Sequence, residues 1–121
     1  MSNPFAYVEL HSQSPGKAND FYRRLFDWKT STAETPGGSY TEIDPGDGLP
    51  GGMLSTKGSA PSAWVVYVRV ADVGAAAARA AELGARLVTE KTLVPGRGHF
   101  VLGIDPTGAT FGLWEPLPGN K

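Results

Sequence analysis

Glu9 and His11 stand two residues apart in an apolar stretch, residues 5–11, FAYVELH. In a strand, alternate residues share a face and lie about 7 Å apart, close enough for a carboxylate and an imidazole to share an ion or a proton. Tyr40 and Glu42 show the same two-residue spacing and so share one face of a later strand. Cysteine is absent and His99 is the only other histidine, so thiolate catalysis, disulfides and cysteine-bound metal are excluded. A metal site would require at least three of Glu9, His11, Glu42 and His99 to converge. A metal-free alternative sets Glu9 opposite Tyr67, where aromatic surroundings desolvate a carboxylate and suit it to proton transfer. The bland reading of His11 is a residue closing its strand and bonding the turn at residues 12–14. Asp44 and Asp105 each precede a proline and a glycine-containing turn, which their side chains are expected to cap. No serine sits in a nucleophile turn, so a Ser-His-Asp arrangement has no support.

Two similar segments must position these groups. Residues 7–25 align without a gap on residues 65–83, an offset of 58 that puts Leu10 on Val68, Ser14 on Asp72, Ala18 on Ala76 and Leu25 on Leu83. Residues 5–10 and 64–70 are rich in aromatic and β-branched residues and read as strands. Ser14 and Asp72 are candidate helix caps, and Pro15 supplies the φ favoured at a first helical position. Ala18, Phe21, Tyr22, Leu25 and Phe26 form one helical stripe, and Val73, Ala76, Ala80 and Leu83 the other. Gly84 stands where a left-handed residue ends a helix. Ile43-Asp44-Pro45 returns as Ile104-Asp105-Pro106, each before a turn and a further strand. Duplication accounts for all of these at once.

The expectation is an α+β domain spanning residues 1–121, built from modules at about 4–56 and 63–116. Each is strand, helix and three strands. Together they form a curved eight-stranded mixed sheet around a cleft with the helices outside. The expected strands lie at residues 4–11, 28–32, 39–43, 52–55, 64–70, 85–89, 99–104 and 109–115. Residues 56–62 are the one linker-like segment, and residues 94–98 a loop.

Composition narrows the function. Forty per cent hydrophobic and 19% charged residues describe an ordinary globular chain, arguing against disorder. Net charge is −1 and the basic residues are dispersed, which argues against nucleic acid. The longest apolar run, near residues 75–81, is broken by Arg79 and falls short of the ~20 residues of a membrane span. No signal peptide is read at residues 1–4, so a cytoplasmic location is the default expectation.

The Asp-Phe-Tyr-x-x-Leu segment (Asp20 to Leu25), Val70-Ala71-Asp72-Val73, Leu83-Gly84 and Asp105-Pro106-Thr107-Gly108 resemble the vicinal oxygen chelate superfamily. That superfamily comprises glyoxalase I, the bleomycin-resistance proteins and the extradiol dioxygenases. The resemblance covers essentially the whole chain. Glu9-Leu10-His11-Ser12 and Val94-Pro95-Gly96-x-Gly98 are most similar to a bacterial glyoxalase-like group. The resemblance implies paired βαβββ modules, a homodimer, and in the metal enzymes a His, Glu or Gln at four points. Those points fall here on Tyr7, Gly52 or Met53, Val65 and Gly112, none a competent ligand, so no metal and no cofactor is expected. A divalent metal at a shifted site is the alternative.

The faces turned from the helices then carry the candidate ligand contacts Tyr7, Glu9, His11, Tyr40, Glu42, Met53, Tyr67, Arg69 and Trp114. Gly52 and Gly112 would enlarge the floor. Trp28 and Trp64 belong to the helix side or an edge. The leading expectation is a metal-free protein binding an aromatic or apolar small molecule. The alternative is a lyase, isomerase or dioxygenase-like enzyme with Glu9 as base.

Overall fold

The computed structural model describes residues 2–56 and 58–119. Met1, Lys57 of the expected linker, and the last two residues of the tail lie outside the described residues. The chain contains β1 (Phe5–Ser12), α1 (Pro15–Leu25), β2 (Lys29–Thr35), β3 (Gly38–Asp44) and β4 (Gly51–Ser55). It continues with β5 (Ala63–Arg69), α2 (Val73–Glu82), β6 (Arg86–Leu87), β7 (Thr92–Val94), β8 (Gly98–Ile104) and β9 (Thr110–Pro116). The fold is α+β, and the βαβββ unit occurs twice as expected.

Residues Tyr7–Val65 form one compact unit and the rest of the chain another. The first unit therefore reaches past the polar segment that sequence reading placed between the copies. Two hydrogen bonds explain this: Ser62 Oγ accepts from the Gln13 amide at 2.9 Å, and Ala60 O accepts from Gln13 Nε2 at 2.9 Å.

In the first unit the strand order is β2-β3-β4-β1, with β1 parallel to β4 and the other pairs antiparallel. Leu10, Ile43 and Met53 are buried together, and Ala18 and Tyr22 of α1 pack on them with Trp28. In the second unit the order is β5-β9-β8-β6, with β5 parallel to β9 and the rest antiparallel. Its core is Val73 and Ala77 of α2 against Val101 and Leu113. The same topology in each copy is what duplication requires.

The helix ends differ from each other. Asp72 caps α2, its Oδ1 accepting from the Ala75 amide at 3.0 Å, and Gly84 follows with φ of 105°. Ser14, expected to cap α1, makes no side-chain cap bond. Its amide instead donates to Ser12 Oγ at 3.0 Å, while Pro15 starts the helix. Strand β7 was not expected, because residues 94–98 read as a hairpin-like loop with no strand assigned before it. That loop is a hairpin turn that returns Val94 opposite Gly98, and the Arg97 amide donates to Val94 O at 3.0 Å. Strand β6 is shorter than expected and β2 longer, the latter because it pairs residue for residue with β3.

Candidate functional site

Register places the candidate residues. Glu9 lies opposite Gly52, and Gly52 opposite Glu42, so one row across β1, β4 and β3 reads Glu-Gly-Glu. The next row, Leu10, Met53 and Thr41, faces the other way and is buried. Met53 was expected among the ligand contacts. It belongs to the helix-side core with Leu10 and is fully buried. One residue of uncertainty in β4 decided the matter, because neighbouring strand positions face opposite sides.

On the Glu9 face four side chains join. Glu9 is 8% exposed. Its Oε1 lies 2.8 Å from His11 Nε2, and its Oε2 accepts from the Tyr40 hydroxyl at 2.8 Å. The Tyr40 hydroxyl also hydrogen-bonds that of Tyr7. Because the Tyr40 hydrogen goes to Glu9, Tyr7 is the donor in that second bond. The proton donors thus run in one direction, Tyr7 to Tyr40 to Glu9. An ionised carboxylate only accepts, so His11 donates from Nε2. His11 therefore turns back along its own strand to Glu9, rather than to the following turn, which Ser12 bonds instead.

Tyr40 is held well above the ordinary tyrosine pKa, first by burial and then by the charge of Glu9 and the neighbouring Tyr7. Its phenol stays protonated, which keeps the donor chain in place at neutral pH. Sequence alternation brought Tyr7, Glu9 and His11 to one face, but nothing in it linked Tyr40 to Glu9.

Gly52 does not leave an open floor. A β-carbon there would collide with the hydroxyls of both Tyr40 and Tyr7. At Gly112 the same place is taken by the Tyr67 ring. The expected enlargement is thus corrected: neighbouring tyrosines occupy the room that each glycine vacates.

In the second unit the equivalent row, Tyr67, Gly112 and Leu102, is apolar. Tyr67 is buried and meets Phe100 edge-on, with ring centroids 6.2 Å apart. Arg69 pairs with Trp114 along the same strands and is exposed. His99 lies in β8 opposite Glu115, its Nδ1 buried without a hydrogen-bond partner. Glu115 Oε1 accepts from the Val73 amide at 2.8 Å and so reinforces the start of α2. Asp44 and Asp105 cap their turns as expected, with Asp44 Oδ1 accepting from the Gly46 amide and Asp105 Oδ1 from Thr107 and Ala109.

Among the described residues, no three of His, Asp and Glu gather to hold a metal ion. The residues at the superfamily's ligand points do not fit one either. Gly52 and Gly112 carry no donor, Val65 is aliphatic, and the Tyr7 hydroxyl is committed to Tyr40. Among the same residues, no helix is long and apolar enough to cross a membrane.

Twinned βαβββ modules with this strand order define the vicinal oxygen chelate superfamily. Within it the chain belongs to the Glyoxalase-like domain family, whose model matches residues 7–114. Two curated relatives, each named "Putative glyoxylase CFP32", come from Mycobacterium bovis and Mycobacterium tuberculosis. Each is 33% identical over 112 residues, covering 91% of this chain and 43% of theirs. The chain therefore spans less than half the length of these relatives. Among solved structures, a hypothetical protein from Bacillus halodurans superposes with a TM-score of 0.72 at 11% identity, covering 100% of this chain and 99% of that one. Methylmalonyl-CoA epimerase from Mycobacterium tuberculosis does so with a TM-score of 0.68 at 16% identity, covering 94% and 88%. At such identities these likenesses establish the fold.

Proposed function

We propose that this chain binds a small molecule with an aromatic or apolar body and one polar group, without a metal, and that the Tyr7, Tyr40, Glu9 and His11 face receives the polar group. The observation that carries this is the buried Glu9 carboxylate, its oxygens bonded by Tyr40 and His11. Burying a charge is costly unless it is paired, so a face that keeps a buried carboxylate with a matched set of donors has a built polar centre. Glu42, in the same row, extends that face. Taken by themselves, Tyr67, Arg69 and Trp114 are proposed contacts within the second module. Ligand sites are mostly apolar with a few placed polar groups, the composition these residues have.

The test is thermal unfolding of the full chain against aromatic compounds bearing a single phenol, amine or carboxylate. A ligand at a hundred times its dissociation constant adds about 2.7 kcal/mol of stability. The expected result is a saturable rise that Tyr40→Phe and Glu9→Gln both weaken. A rise left untouched by both variants would place the ligand elsewhere and defeat the proposal, as would a panel without any response.

The 2.8 Å Glu9–His11 contact favours one second reading, an enzyme in which Glu9 takes a proton from the bound molecule and His11 orients it. Binding alone leaves every hit chemically unchanged over hours. Conversion by the wild type that Glu9→Gln abolishes would select the enzyme, with a lyase or isomerase reaction suited to a base without a metal.

A further inference from the structure

We propose a second binding site, on the helix side of the first module, for a neutral planar aromatic ring. The site is a hollow of about 290 Å³ lined by Val8, Trp28, Ile43, Pro45, Leu49, Pro50, Gly51 and Trp64. It lies on the opposite side of this sheet from Glu9, because Ile43 and Trp28 belong to the core on which α1 packs. The volume falls just below the range of about 300–1,000 Å³ typical of ligand pockets. That is room for one ring system rather than an extended chain.

Three features make the hollow a built one. The floor is rigid at Gly51, where the backbone packs so closely that a β-carbon would stand 2.8 Å from Val8 O and 3.6 Å from the Ile43 side chain. One wall is a pair of indoles, Trp28 and Trp64, with centroids 6.3 Å apart and planes at 82°. A ring entering there can stack on one indole and meet the edge of the other, the two arrangements aromatic pairs prefer. The facing wall is the loop between β3 and β4, and it is pinned. Asp44 Oδ1 accepts from the Gly46 amide at 2.9 Å, Asp47 Oδ1 from the Gly48 amide at 2.8 Å, and both glycines adopt positive φ. Pro45 and Pro50 restrict the loop at each end.

The lining fixes the class of ligand. Among the described residues no charged side chain lines the hollow, so an ion would lose its hydration without gaining a partner from them. Trp64 and Leu49 remain 40% and 41% exposed, leaving apolar surface that a ring would cover.

The chain has three tryptophans, and the third, Trp114, does not line the hollow. In the ¹⁵N-labelled full chain, the indole N–H signals of Trp28 and Trp64 should shift saturably as benzyl alcohol is added, while that of Trp114 stays. Benzoate, the charged counterpart, should bind about tenfold or more weakly. Leu49→Asp, in the loop rather than a strand, should weaken benzyl alcohol to a similar extent. Equal movement of all three signals, or none up to the solubility limit, overturns the proposal. So does a shift of Trp28 and Trp64 on dilution without benzyl alcohol, which would show a second copy of the chain covering the hollow. Because Trp114 is a proposed contact of the function above, the titration is repeated in Glu9→Gln, a residue that does not line the hollow, where the Trp28 and Trp64 shifts should persist even if binding at the Glu9 face is lost.

Discussion

Gly52 is glycine because two tyrosine hydroxyls fill the space over it, and that makes it a sensitive probe of the Glu9 network. Gly52→Ala forces Tyr40 and Tyr7 aside, and overpacking of this kind costs about 1–3 kcal/mol. The urea midpoint should fall accordingly, and an unchanged midpoint would mean that the tyrosines do not meet there. Tyr40 gives a pH signature. Its pKa in the folded chain lies above the ordinary value near 10, because of burial first and then Glu9 and Tyr7. The unfolded chain therefore loses this proton at lower pH than the folded one. The associated stability is fully present below about pH 10 and is lost as pH rises beyond it, by up to about 1.4 kcal/mol per pH unit. Urea midpoints from about pH 8 to about pH 11 should drop less steeply for Tyr40→Phe than for the wild type. Parallel pH profiles would exclude a buried, bonded phenol. At this scale the sequence was only partly legible. Period-two alternation put Tyr7, Glu9 and His11 on one face, whereas the Tyr40 bond and the side on which Met53 falls depend on strand register, which no local pattern in β4 specifies.

The two helices look equivalent in sequence and are secured differently. Asp72 binds the Ala75 amide while Glu115 binds that of Val73, so two of the amides at the start of α2 have carboxylate partners. At α1 the proline at the start removes one donor and Ser14 contributes no side-chain bond. Asp72→Ala should cost about 0.5–2 kcal/mol and Ser14→Ala close to nothing, read as urea midpoints of the two variants side by side. Equal losses would contradict the asymmetry. Element type was legible because helical stripes and strand alternation differ in period. Cap use was not, since a serine before a proline signals a cap whether or not its hydroxyl turns toward the helix. The hairpin-like turn at residues 94–98 was legible from its glycines, whereas strand β7 was not, since three residues carry too little alternation and only the pairing of Thr92 with Phe100 reveals it.

Duplication was the most legible property of the whole chain, because it is carried by order and offset rather than by any single residue. Yet the copies have diverged where chemistry would occur. The row that reads Glu-Gly-Glu in the first module reads Tyr-Gly-Leu in the second, and both glycines are crowded by tyrosine. Metal-binding members of the superfamily need donors at these glycine positions. A resident divalent ion binding only the folded chain at a thousand times its dissociation constant would add about 4.1 kcal/mol, and removing it would lower the unfolding temperature by several degrees. Here the glycines offer no side chain and Tyr7 is bonded to Tyr40, while Glu9 and His11 supply two donors already bonded to each other. Full-length protein purified without chelators should therefore unfold at the same temperature before and after EDTA dialysis, and carry far less than one metal per chain by elemental analysis. One equivalent of zinc, nickel, manganese or iron, released by EDTA with a loss of several degrees, would mean that Glu9 and His11 give up their mutual bond to an ion.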